Sequence, residues 1–376
     1  MHPPFTPFIE NLPAAVPFVG PDTMERQTGR RFRVRIGANE NVFGPSPIAI
    51  AAMREAAVDV WKYGDAETHD LTQALATYQG VPSENIAVGE GIDGLFGLAV
   101  RLFVEPGVTV ATSLGAYPTF NYHVRGFGGR LVTTPYVNDR EDPQALLDLA
   151  RRENARLIYF ANPDNPMGSW WNAHDVARMI AELPPHALLM LDEAYGEFAP
   201  DGTLPPFDVE NPQVLRFRTF SKAYGMAGLR VGYAIGHREV IKAFDKVRNH
   251  FGVTRLGQRA AIAALGDQEH LRHVISQVAA ARQDIERIAS ANGLTALSSA
   301  SNFLSIDCGG DGDHAKRVLN GLLARGVFVR MPGVAPLNRC IRVTVGTAAD
   351  LEIFAQELPT ALKAANSFSS LVSGGH

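Results

Sequence analysis

The sequence predicts an α/β protein in which a large domain, built on a mostly parallel seven-stranded sheet, precedes a smaller α+β domain. Short apolar segments alternate with longer mixed segments from about residue 85 to 235, and long helical segments replace this alternation after about residue 254. Strand–helix alternation of this kind is typical of parallel sheets with helices packed against them. We place an N-terminal arm, part of the small domain, at 1–35, the large domain at 36–253 and the small C-terminal domain at 254–376.

Composition and charge narrow the class of protein. The chain has 376 residues, of which 46% are hydrophobic and 20% charged, as in soluble globular proteins. The net charge is −4 and the 35 Lys and Arg residues are scattered, so nothing indicates binding to nucleic acid or a membrane surface.

We expect a cytoplasmic protein. The first residues lack the cationic start and apolar core of a secretory signal, and no apolar stretch approaches the ~18 residues of a membrane-spanning helix. Cys308 and Cys340 are too few and too far apart for a disulfide framework or a CxxC metal site, so we predict buried, reduced thiols and no metal.

Seven apolar segments predict the strands of the large domain. They lack polar alternation, as expected where both faces of a sheet are covered. The segments are 86–88, 108–110, 131–132, 157–160, 188–191, 214–215 and 231–234. Helices are predicted at 143–152 and 173–182, and the second follows Asn172 with Asp175 three residues later, as in a capping box.

The C-terminal part has a different pattern. We predict helices at 254–265, 267–291 and 350–365, with strands at 303–306, 326–329 and 341–345. The first 35 residues are rich in proline and predict an arm with little structure of its own. Ligands of open α/β sheets bind at the carboxyl ends of the strands, so polar residues that directly follow a strand are the candidate site.

The first candidate is a glycine-rich turn. Gly89-Glu90-Gly91-Ile92-Asp93-Gly94 follows a strand and opens a helix, so it matches GxGxxG. A dinucleotide site also needs an acid at the end of the next strand, but that strand ends Ala111-Thr112-Ser113. The bare amides of a helix N-terminus still favour an anion, so we predict phosphate binding without NAD. A tight turn with no ligand and an NAD-binding protein are the alternatives.

Two further segments follow apolar strands. In Asn162–Gly168, two prolines stiffen the loop and orient the amide of Asn165 for donation to a ring oxygen; an ordinary Pro/Asn turn is the alternative.

Asp192 ends a strand, where desolvation raises the pKa of a carboxyl unless a cation partners it. A protonated pyridine nitrogen is such a cation, whereas an acid that caps the next segment is the alternative.

A lysine with phosphate-binding neighbours forms the fourth motif. Lys222 lies among small and aromatic residues, where partial desolvation lowers the pKa of an amine and favours imine chemistry. Thr219, Ser221 and Arg230 are typical partners of a phosphate. Their presence within twelve positions argues against a solvated surface lysine.

Together these motifs resemble the fold-type I enzymes that use pyridoxal phosphate (PLP), specifically the class I/II aminotransferases and their histidinol-phosphate aminotransferase branch. The resemblance spans nearly the whole chain, from Asn39-Glu40-Asn41 with Gly44-Pro45-Ser46-Pro47 to Ile341-Arg342-Val343-Thr344-Val345-Gly346-Thr347. It implies a fold-type I PLP transferase, with PLP as the cofactor.

The resemblance implies catalytic roles for Lys222, Asp192 and Tyr195. Lys222 is similar to the Schiff-base lysine, which also moves a proton between the substrate α-carbon and C4′ of the cofactor. Asp192 resembles the partner of the pyridinium nitrogen, and Asn165 and Tyr195 resemble the donors to the phenolic oxygen. Tyr117, in Gly115-Ala116-Tyr117-Pro118, matches the aromatic that stacks on the ring, with packing in the core as its alternative.

The resemblance also implies how the phosphate is held. The backbone amides of Gly91 and Ile92 would bind it together with Thr219, Ser221 and Arg230. Tyr63 matches a tyrosine that reaches the phosphate from the neighbouring subunit, which implies a homodimer with shared active sites. Gly64 stands where the family usually has proline, so the loop there departs from the pattern.

For the substrate, Arg342 matches the arginine that clamps an α-carboxylate, and we also place Asn39 among the substrate-binding residues. Arg330 matches a position of the histidinol-phosphate branch that binds the substrate phosphate, with a solvated strand-end cation as the alternative. The branch usually has Tyr-x-Pro-Gly near its N-terminus, where this chain has Phe18-Val19-Gly20-Pro21.

The expected reaction is therefore transfer of an amino group between an amino acid or amine and a 2-oxo acid. Histidinol phosphate, an aromatic amino acid and an amino acid with an anionic tail are the candidate donors. A PLP-dependent decarboxylase or lyase similar to the threonine-phosphate decarboxylases is the alternative, because Lys222 and Asp192 serve both reactions.

Overall fold

The computed structural model describes residues 3–14 and 18–373. The thirteen helices in that part of the chain are α1 (Pro7–Glu10), α2 (Pro21–Thr28), α3 (Pro47–Ala56), α4 (His69–Gln79), α5 (Gly91–Phe103), α6 (Pro118–Gly126), α7 (Pro143–Glu153), α8 (Ala173–Ala181), α9 (Arg238–Ala243), α10 (Arg255–Gly266), α11 (Gln268–Ala291), α12 (Gly312–Ala324) and α13 (Ala348–Ser373).

The twelve strands in the same ranges form three sheets. They are β1 (Val34–Arg35), β2 (Ile86–Gly89), β3 (Thr109–Ser113), β4 (Arg130–Thr134), β5 (Leu157–Ala161), β6 (Leu188–Asp192), β7 (Val214–Thr219), β8 (Gly232–Gly236), β9 (Thr295–Ala296), β10 (Phe303–Asp307), β11 (Val327–Phe328) and β12 (Cys340–Thr344).

The central sheet has the seven strands that the sequence predicts, in the order β2-β8-β7-β6-β5-β3-β4. The pairs among β7, β6, β5, β3 and β4 are parallel, and β8 is antiparallel to both β2 and β7. The prediction of a mostly parallel α/β sheet is therefore confirmed.

Both faces of the inner strands β3, β5, β6, β7 and β8 are mostly buried, which explains their continuous apolar sequences, whereas the edge strand β4 is partly exposed. Alternate residues such as Tyr159 and Met190 pack on one face with α5 and α6, and Ile158 and Leu189 pack on the other with α7 and α8. Helix α8 begins at the predicted cap, where Asn172 Oδ1 accepts from the amide of Asp175 at 2.9 Å.

The C-terminal part forms a second sheet, β12-β10-β9, which is antiparallel. Helices α10 and α11 lie where the sequence predicts them, whereas α13 runs from 348 to 373 and exceeds the predicted 350–365. Within the strand predicted at 326–329, Val327–Phe328 forms β11, which pairs in parallel with β1.

The prediction that the arm has little structure of its own is wrong for 21–28. Pro21 occupies the first turn of α2, where its missing N–H costs nothing, and Gly29 ends the helix at φ 67°. Glu25 accepts from the amide of Phe32 at 2.8 Å and pairs with Arg35 at 2.7 Å, which attaches the helix to the chain that follows.

Two other expectations concern membrane-spanning helices and the state of the two cysteine thiols. Within the described ranges, none of the helices combines the length and the apolar character needed to cross a membrane. Cys308 and Cys340 are free and buried, and burial raises the pKa of each thiol to about 12. The domain boundaries at 35/36 and 253/254 stay a prediction.

Candidate active site

A cavity of about 800 Å³ opens at the carboxyl ends of the central strands. Asp192 is the last residue of β6 and Thr219 the last residue of β7, so both reach it from strand ends. Twelve residues that the sequence predicts as site residues line it: Asn39, Ile92, Tyr117, Asn165, Asp192, Tyr195, Thr219, Ser221, Lys222, Arg230, Arg330 and Arg342.

Lys222 follows β7 and is half-buried in this cavity. Its Nζ donates to the carbonyl of Asn39 at 3.0 Å and lies 5.7 Å from the centroid of the Tyr195 ring. Desolvation, with a smaller contribution from the positive charge of Arg342, lowers the pKa of Lys222 to about 8. A neutral amine is the nucleophile in imine chemistry, so this environment favours reaction with an aldehyde.

Asp192 is 5% exposed, and both of its oxygens are hydrogen-bonded. Tyr159 Oη donates to Oδ2 at 2.6 Å and the amide of Ala194 donates to Oδ1 at 2.9 Å. Burial raises the pKa of Asp192 to about 6, so the carboxylate is charged at neutral pH in a site that favours a cationic partner. The alternative of a cap for the next segment accounts only for the bond to Ala194.

Asn165 and Tyr195 keep donor groups for a ligand. Asn165 Oδ1 accepts from Arg342 Nη1 at 2.5 Å, so its amide NH₂ is the group that a ring oxygen would use. Tyr195 Oη accepts from Asn39 Nδ2 at 2.9 Å and retains its own proton for donation. Burial raises the pKa of Tyr195, which keeps the phenol protonated.

The first turn of α5 and the loop after β7 bring together groups of the kind that bind anions. Gly91 begins α5 at φ 73°, and a Cβ there would overlap the guanidinium of Arg230. Arg230 Nη1 donates to Ser221 Oγ at 3.2 Å, and Thr219 Oγ1 accepts from the amide of Ser221 at 3.0 Å. Two hydroxyls, one guanidinium and the positive end of a helix therefore converge, as a phosphate requires.

Sequence reasoning missed Asp93, which links two predicted residues. Its Oδ2 accepts from Tyr117 Oη at 3.2 Å and lies 3.8 Å from Arg230 Nη2. An acid in the first turn of a helix is common because it complements the helix dipole, so its position alone did not distinguish it. Tyr159 was missed because it lies inside an apolar strand, where an aromatic residue is expected to pack.

Tyr63 is not brought to this cavity within one chain. Its side chain is 75% exposed and its ring stacks on Phe251 with centroids 4.5 Å apart. Trp61 beside it is 78% exposed. A role for Tyr63 therefore needs a second subunit and stays a prediction.

Arg330 and Arg342 both line the cavity, and their backbones pair with each other. The amide of Arg342 donates to the carbonyl of Arg330 at 2.6 Å, and the reverse bond measures 3.2 Å. Arg342 Nη2 also donates to the carbonyl of Gly37 at 3.2 Å. In residues 3–14 and 18–373, no carboxylate lies within 4.0 Å of either guanidinium.

The N-terminal arm contacts the side chain of Arg330, and its Phe18 also lines the cavity. Arg330 Nη1 donates to the carbonyl of Val19 at 2.8 Å, and its Cζ lies 4.6 Å from the centroid of the Phe18 ring. Burial lowers the pKa of Arg330, and burial together with the charge of Arg330 lowers the pKa of Arg342 to about 10. These arginines differ from solvated strand-end cations because they are half-buried and face a cavity.

The donor set fits PLP. The cavity offers an amine with a lowered pKa, a buried carboxylate for a ring cation, two donors for a ring oxygen and an anion site at α5. It does not fit a dinucleotide, because β2 is an edge strand antiparallel to β8, and four strands separate it from β3. A GxGxxG dinucleotide unit needs parallel strands on both sides of its helix. The NAD alternative is therefore not favoured.

Comparison with known proteins agrees with the geometry. The model of the family "Aminotransferase class I and II" matches residues 33–358. Histidinol-phosphate aminotransferase 2 of Nitrosospira multiformis is 35% identical over 333 residues, which are 88% of this chain and 84% of that protein. Histidinol-phosphate aminotransferase 2 of Carboxydothermus hydrogenoformans is 34% identical over 361 residues, 94% of this chain and 98% of that protein.

Solved structures show the same likeness. The histidinol-phosphate aminotransferase of Sinorhizobium meliloti, solved in complex with pyridoxal-5′-phosphate, is 54% identical and superposes with a TM-score of 0.94 over 96% of this chain and 98% of that one. The L-threonine-O-3-phosphate decarboxylase of Porphyromonas gingivalis, at 19% identity and a TM-score of 0.74, shares the fold. The chain belongs to the class I and II aminotransferases, which are PLP-dependent enzymes of fold type I, as its motifs predict.

Proposed function

We propose that this aminotransferase takes its amino group from histidinol phosphate and passes it to a 2-oxo acid. The observation that carries the proposal is the pair of guanidiniums, Arg330 and Arg342, which face one cavity without a carboxylate partner in the described part of the chain. Two adjacent cations are stabilised by an anion that both contact. The names of the relatives from Nitrosospira multiformis and Sinorhizobium meliloti support the same donor.

The two arginines would serve both half-reactions. Histidinol phosphate has no α-carboxylate, so Arg330 and Arg342 would share its phosphate. A 2-oxo acid with two carboxylates would place its α-carboxylate on Arg342 and its second carboxylate on Arg330. A dicarboxylic acceptor is therefore the class that uses both cations, and a monocarboxylic acceptor would leave Arg330 without a partner.

The remaining residues would hold PLP. The phosphate would lie on the amides of Gly91 and Ile92 and on Thr219, Ser221 and Arg230. Tyr117 would stack on the ring, Asp192 would pair with the ring nitrogen, and Asn165 and Tyr195 would donate to the phenolic oxygen. When bound, PLP withdraws electrons from the substrate α-carbon and makes its proton acidic.

The chain itself would move that proton. Lys222, whose pKa burial lowers to about 8, would act as the base that removes the proton from the α-carbon and would then return it to the cofactor side. Asp192 would hold the ring nitrogen in its protonated form, and Arg330 and Arg342 would fix the substrate so that its α-proton faces Lys222.

We further propose a homodimer in the cytoplasm. The exposed aromatic rings of Trp61 and Tyr63 support a subunit contact, because large apolar side chains are rarely left together in water. In that contact Tyr63 would reach the phosphate site of the neighbouring subunit. The free thiols of Cys308 and Cys340 agree with a reducing compartment.

A half-reaction screen tests the proposed function. The PLP form is mixed with histidinol phosphate, histidinol, an aromatic amino acid and a dicarboxylic amino acid, and conversion to the pyridoxamine phosphate absorbance is recorded. We expect the fastest conversion with histidinol phosphate. The Lys222→Ala variant should show no absorbance of lysine-bound PLP, whereas Lys242→Ala, which removes an exposed lysine, should keep it.

The same experiment separates the alternative reactions. Release of carbon dioxide from an amino acid without any 2-oxo acid would establish a decarboxylase instead. Equal conversion of histidinol and histidinol phosphate would contradict the role of the two arginines in selecting a phosphorylated donor.

A further inference from the structure

A hydrogen bond between neighbouring strands holds the acid of the site. Tyr159 lies in β5 and Asp192 ends β6, and Tyr159 Oη donates to Asp192 Oδ2 at 2.6 Å. A separation of 2.5–2.7 Å is typical of a hydroxyl that donates to a charged carboxylate. With the amide of Ala194 on Oδ1, the bond from Tyr159 leaves the carboxylate of Asp192 in a single orientation.

The tyrosine is itself held rigidly by the helices that carry other parts of the site. Its side chain is fully buried, stacked on Phe120 with centroids 4.6 Å apart and in edge contact with Phe96 at 5.6 Å. Phe120 lies in α6, which begins directly after Tyr117, and Phe96 lies in α5, which begins at Gly91. The hydroxyl of Tyr159 is therefore fixed relative to the phosphate site and the stacking residue.

We propose that Tyr159 is a positioning residue that keeps Asp192 ionised and aimed at the ring nitrogen of PLP. The proposal rests on the proposed role of Asp192 as the partner of that nitrogen. A donor to a carboxylate stabilises its charged form, and a carboxylate that stays charged keeps the ring nitrogen protonated. Tyr159 touches neither substrate nor cofactor in this arrangement and acts through Asp192.

The acidic groups around Asp192 disfavour its charged form, so a hydrogen-bond donor such as Tyr159 is needed to stabilise it. Desolvation is the main cause that raises the pKa of Asp192, and the negative charges of Asp93 on α5 and Glu193 on the same segment raise it further. Tyr159 and the amide of Ala194 lower it. Of the two acids, Asp93 lies 3.8 Å from Arg230.

Glu193 and three other groups complete the surroundings of Asp192. Glu193 is paired with Arg216 at 2.6 Å and with Arg218 at 3.1 Å, which offsets its charge. Glu141 accepts from the amide of Ala161 at the end of β5, and burial raises the pKa of Glu141 and so favours its neutral form. Burial also raises the pKa of Tyr195 and Tyr117, which stay neutral. The hydroxyl of Tyr159 is thus the side-chain donor through which the protein favours the charged form of Asp192.

The test compares two conservative variants. Tyr159→Phe removes the donor to Asp192, and Tyr233→Phe removes the hydroxyl of another fully buried tyrosine, which is bonded to Gln79 Nε2 at 2.6 Å. For each protein the dissociation constant of PLP is measured from pH 5 to 9 by titrating the apoprotein. Titration of PLP and of Lys222, whose pKa is about 8, is common to all the proteins, so differences between them report on Asp192.

In the wild-type protein we expect PLP affinity to fall as the pH drops through the pKa of Asp192, about 6. Loss of the donor destabilises the carboxylate and raises this pKa. Tyr159→Phe should therefore move the midpoint upward by about one unit, which weakens PLP binding about tenfold at pH 5 and about twofold at pH 7. Tyr233→Phe should leave the midpoint unchanged, although both variants lose some thermal stability.

A combined variant shows whether Tyr159 acts through Asp192. In the Asp192→Asn background, adding Tyr159→Phe should change PLP affinity less than twofold. An unchanged midpoint in Tyr159→Phe, an equal shift in Tyr233→Phe, or a full tenfold loss in the Asp192→Asn background would overturn the proposal. Failure of the wild-type protein to bind PLP, or an unaltered affinity in Asp192→Asn alone, would instead overturn the proposed cofactor site.

A second measurement keeps the test decisive if Tyr159→Phe does not fold. A 3-fluorotyrosine placed at position 159 keeps the shape of the ring and makes the hydroxyl a stronger donor. The midpoint for PLP binding should then move downward, opposite to the effect of removing the donor. An upward shift or no shift would contradict the inference.

Discussion

Asp192 carries its charge in surroundings that favour the neutral acid. It is 5% exposed, and burial raises its pKa to about 6. An acid whose pKa is higher in the folded than in the unfolded chain lowers stability once the pH exceeds both values, and this cost is absent below both. The apoprotein therefore carries a stability cost at neutral pH, which a cationic ring nitrogen would offset on binding.

We predict that Asp192→Asn makes the apoprotein more stable at pH 8, by on the order of 2 kcal/mol. The gain should shrink at pH 5, where the wild-type carboxyl is largely protonated. Urea unfolding of both apoproteins at the two pH values measures it. PLP binding of the variant should weaken more than tenfold, and a variant less stable than wild type at pH 8 would contradict the account of Asp192.

Arg330 is predicted to select for the anionic group of the substrate. Arg330→Ala should raise KM for histidinol phosphate about 10- to 100-fold, because a charge-assisted hydrogen bond to phosphate is lost. The KM for histidinol, which lacks the phosphate, should change little. Steady-state kinetics with both donors measure the difference, and Arg325→Ala, which removes an arginine that does not line the cavity, is the control. Equal losses on both donors would refute the anion contact.

The first turn of α5 depends on a glycine for two separate reasons. Gly91 has φ 73°, and a Cβ would overlap Arg230. Gly80, which ends α4, has φ 67° with no atom within 4 Å of the position of a Cβ. The two glycines share a positive φ and differ in the space around them.

We predict that Gly91→Ala and Gly80→Ala each lower the free energy of unfolding by about 1 kcal/mol, the cost of a side chain at positive φ. Only Gly91→Ala should also weaken PLP binding, because Arg230 must leave the anion site. Urea unfolding and PLP titration of both variants measure these effects. Unaltered PLP affinity in Gly91→Ala would show that Arg230 does not depend on this turn.

The strands of the central sheet could be predicted from the sequence because each is a buried apolar run ending at a polar residue. Helix α2 could not be predicted, because Pro21 and Gly29 are also common in irregular segments. Only their separation, which equals the length of one short helix, distinguishes a helix from an irregular arm. The partner of β11 could not be predicted either, because a two-residue strand has no periodicity and its partner β1 lies almost three hundred residues away.

Site residues could be predicted where they share one short sequence motif. They could not be predicted where folding brings together residues that are distant in the sequence. Lys222 and Arg230 lie in one segment with phosphate-binding neighbours. Asp93 and Tyr159 gain their meaning from Arg230 and Asp192, to which no local pattern connects them. Such pairs follow from the order of the strands and the crossing of helices, which a single sequence does not specify.

Three aromatic side chains at and around the predicted site residue Tyr63 are exposed to solvent. Trp61 and Tyr63 are each at least 75% exposed, and Phe251, on which Tyr63 stacks, is 52% exposed. In the proposed homodimer this region would meet the phosphate site of the second subunit.

We predict that mixed dimers of Tyr63→Phe and Lys222→Ala subunits regain one site with wild-type affinity for PLP. Each mixed dimer would pair the intact Lys222 of one subunit with the intact Tyr63 of the other. Unfolding and refolding the two variants together, followed by PLP titration, measures this site. If Tyr63 acts within its own chain, the affinity will equal that of Tyr63→Phe alone.

The carbonyl of Asn39 accepts from two side chains at once, Lys222 Nζ at 3.0 Å and Asn302 Nδ2 at 3.1 Å. Asn39 is 2% exposed, and a buried carbonyl that loses its last donor costs about 1–3 kcal/mol. Because Asn302 stays when the amine departs, Lys222 could detach and return in the proposed reaction without leaving this oxygen unsatisfied. The loop at Asn39 can therefore remain still while the lysine beside it changes partners.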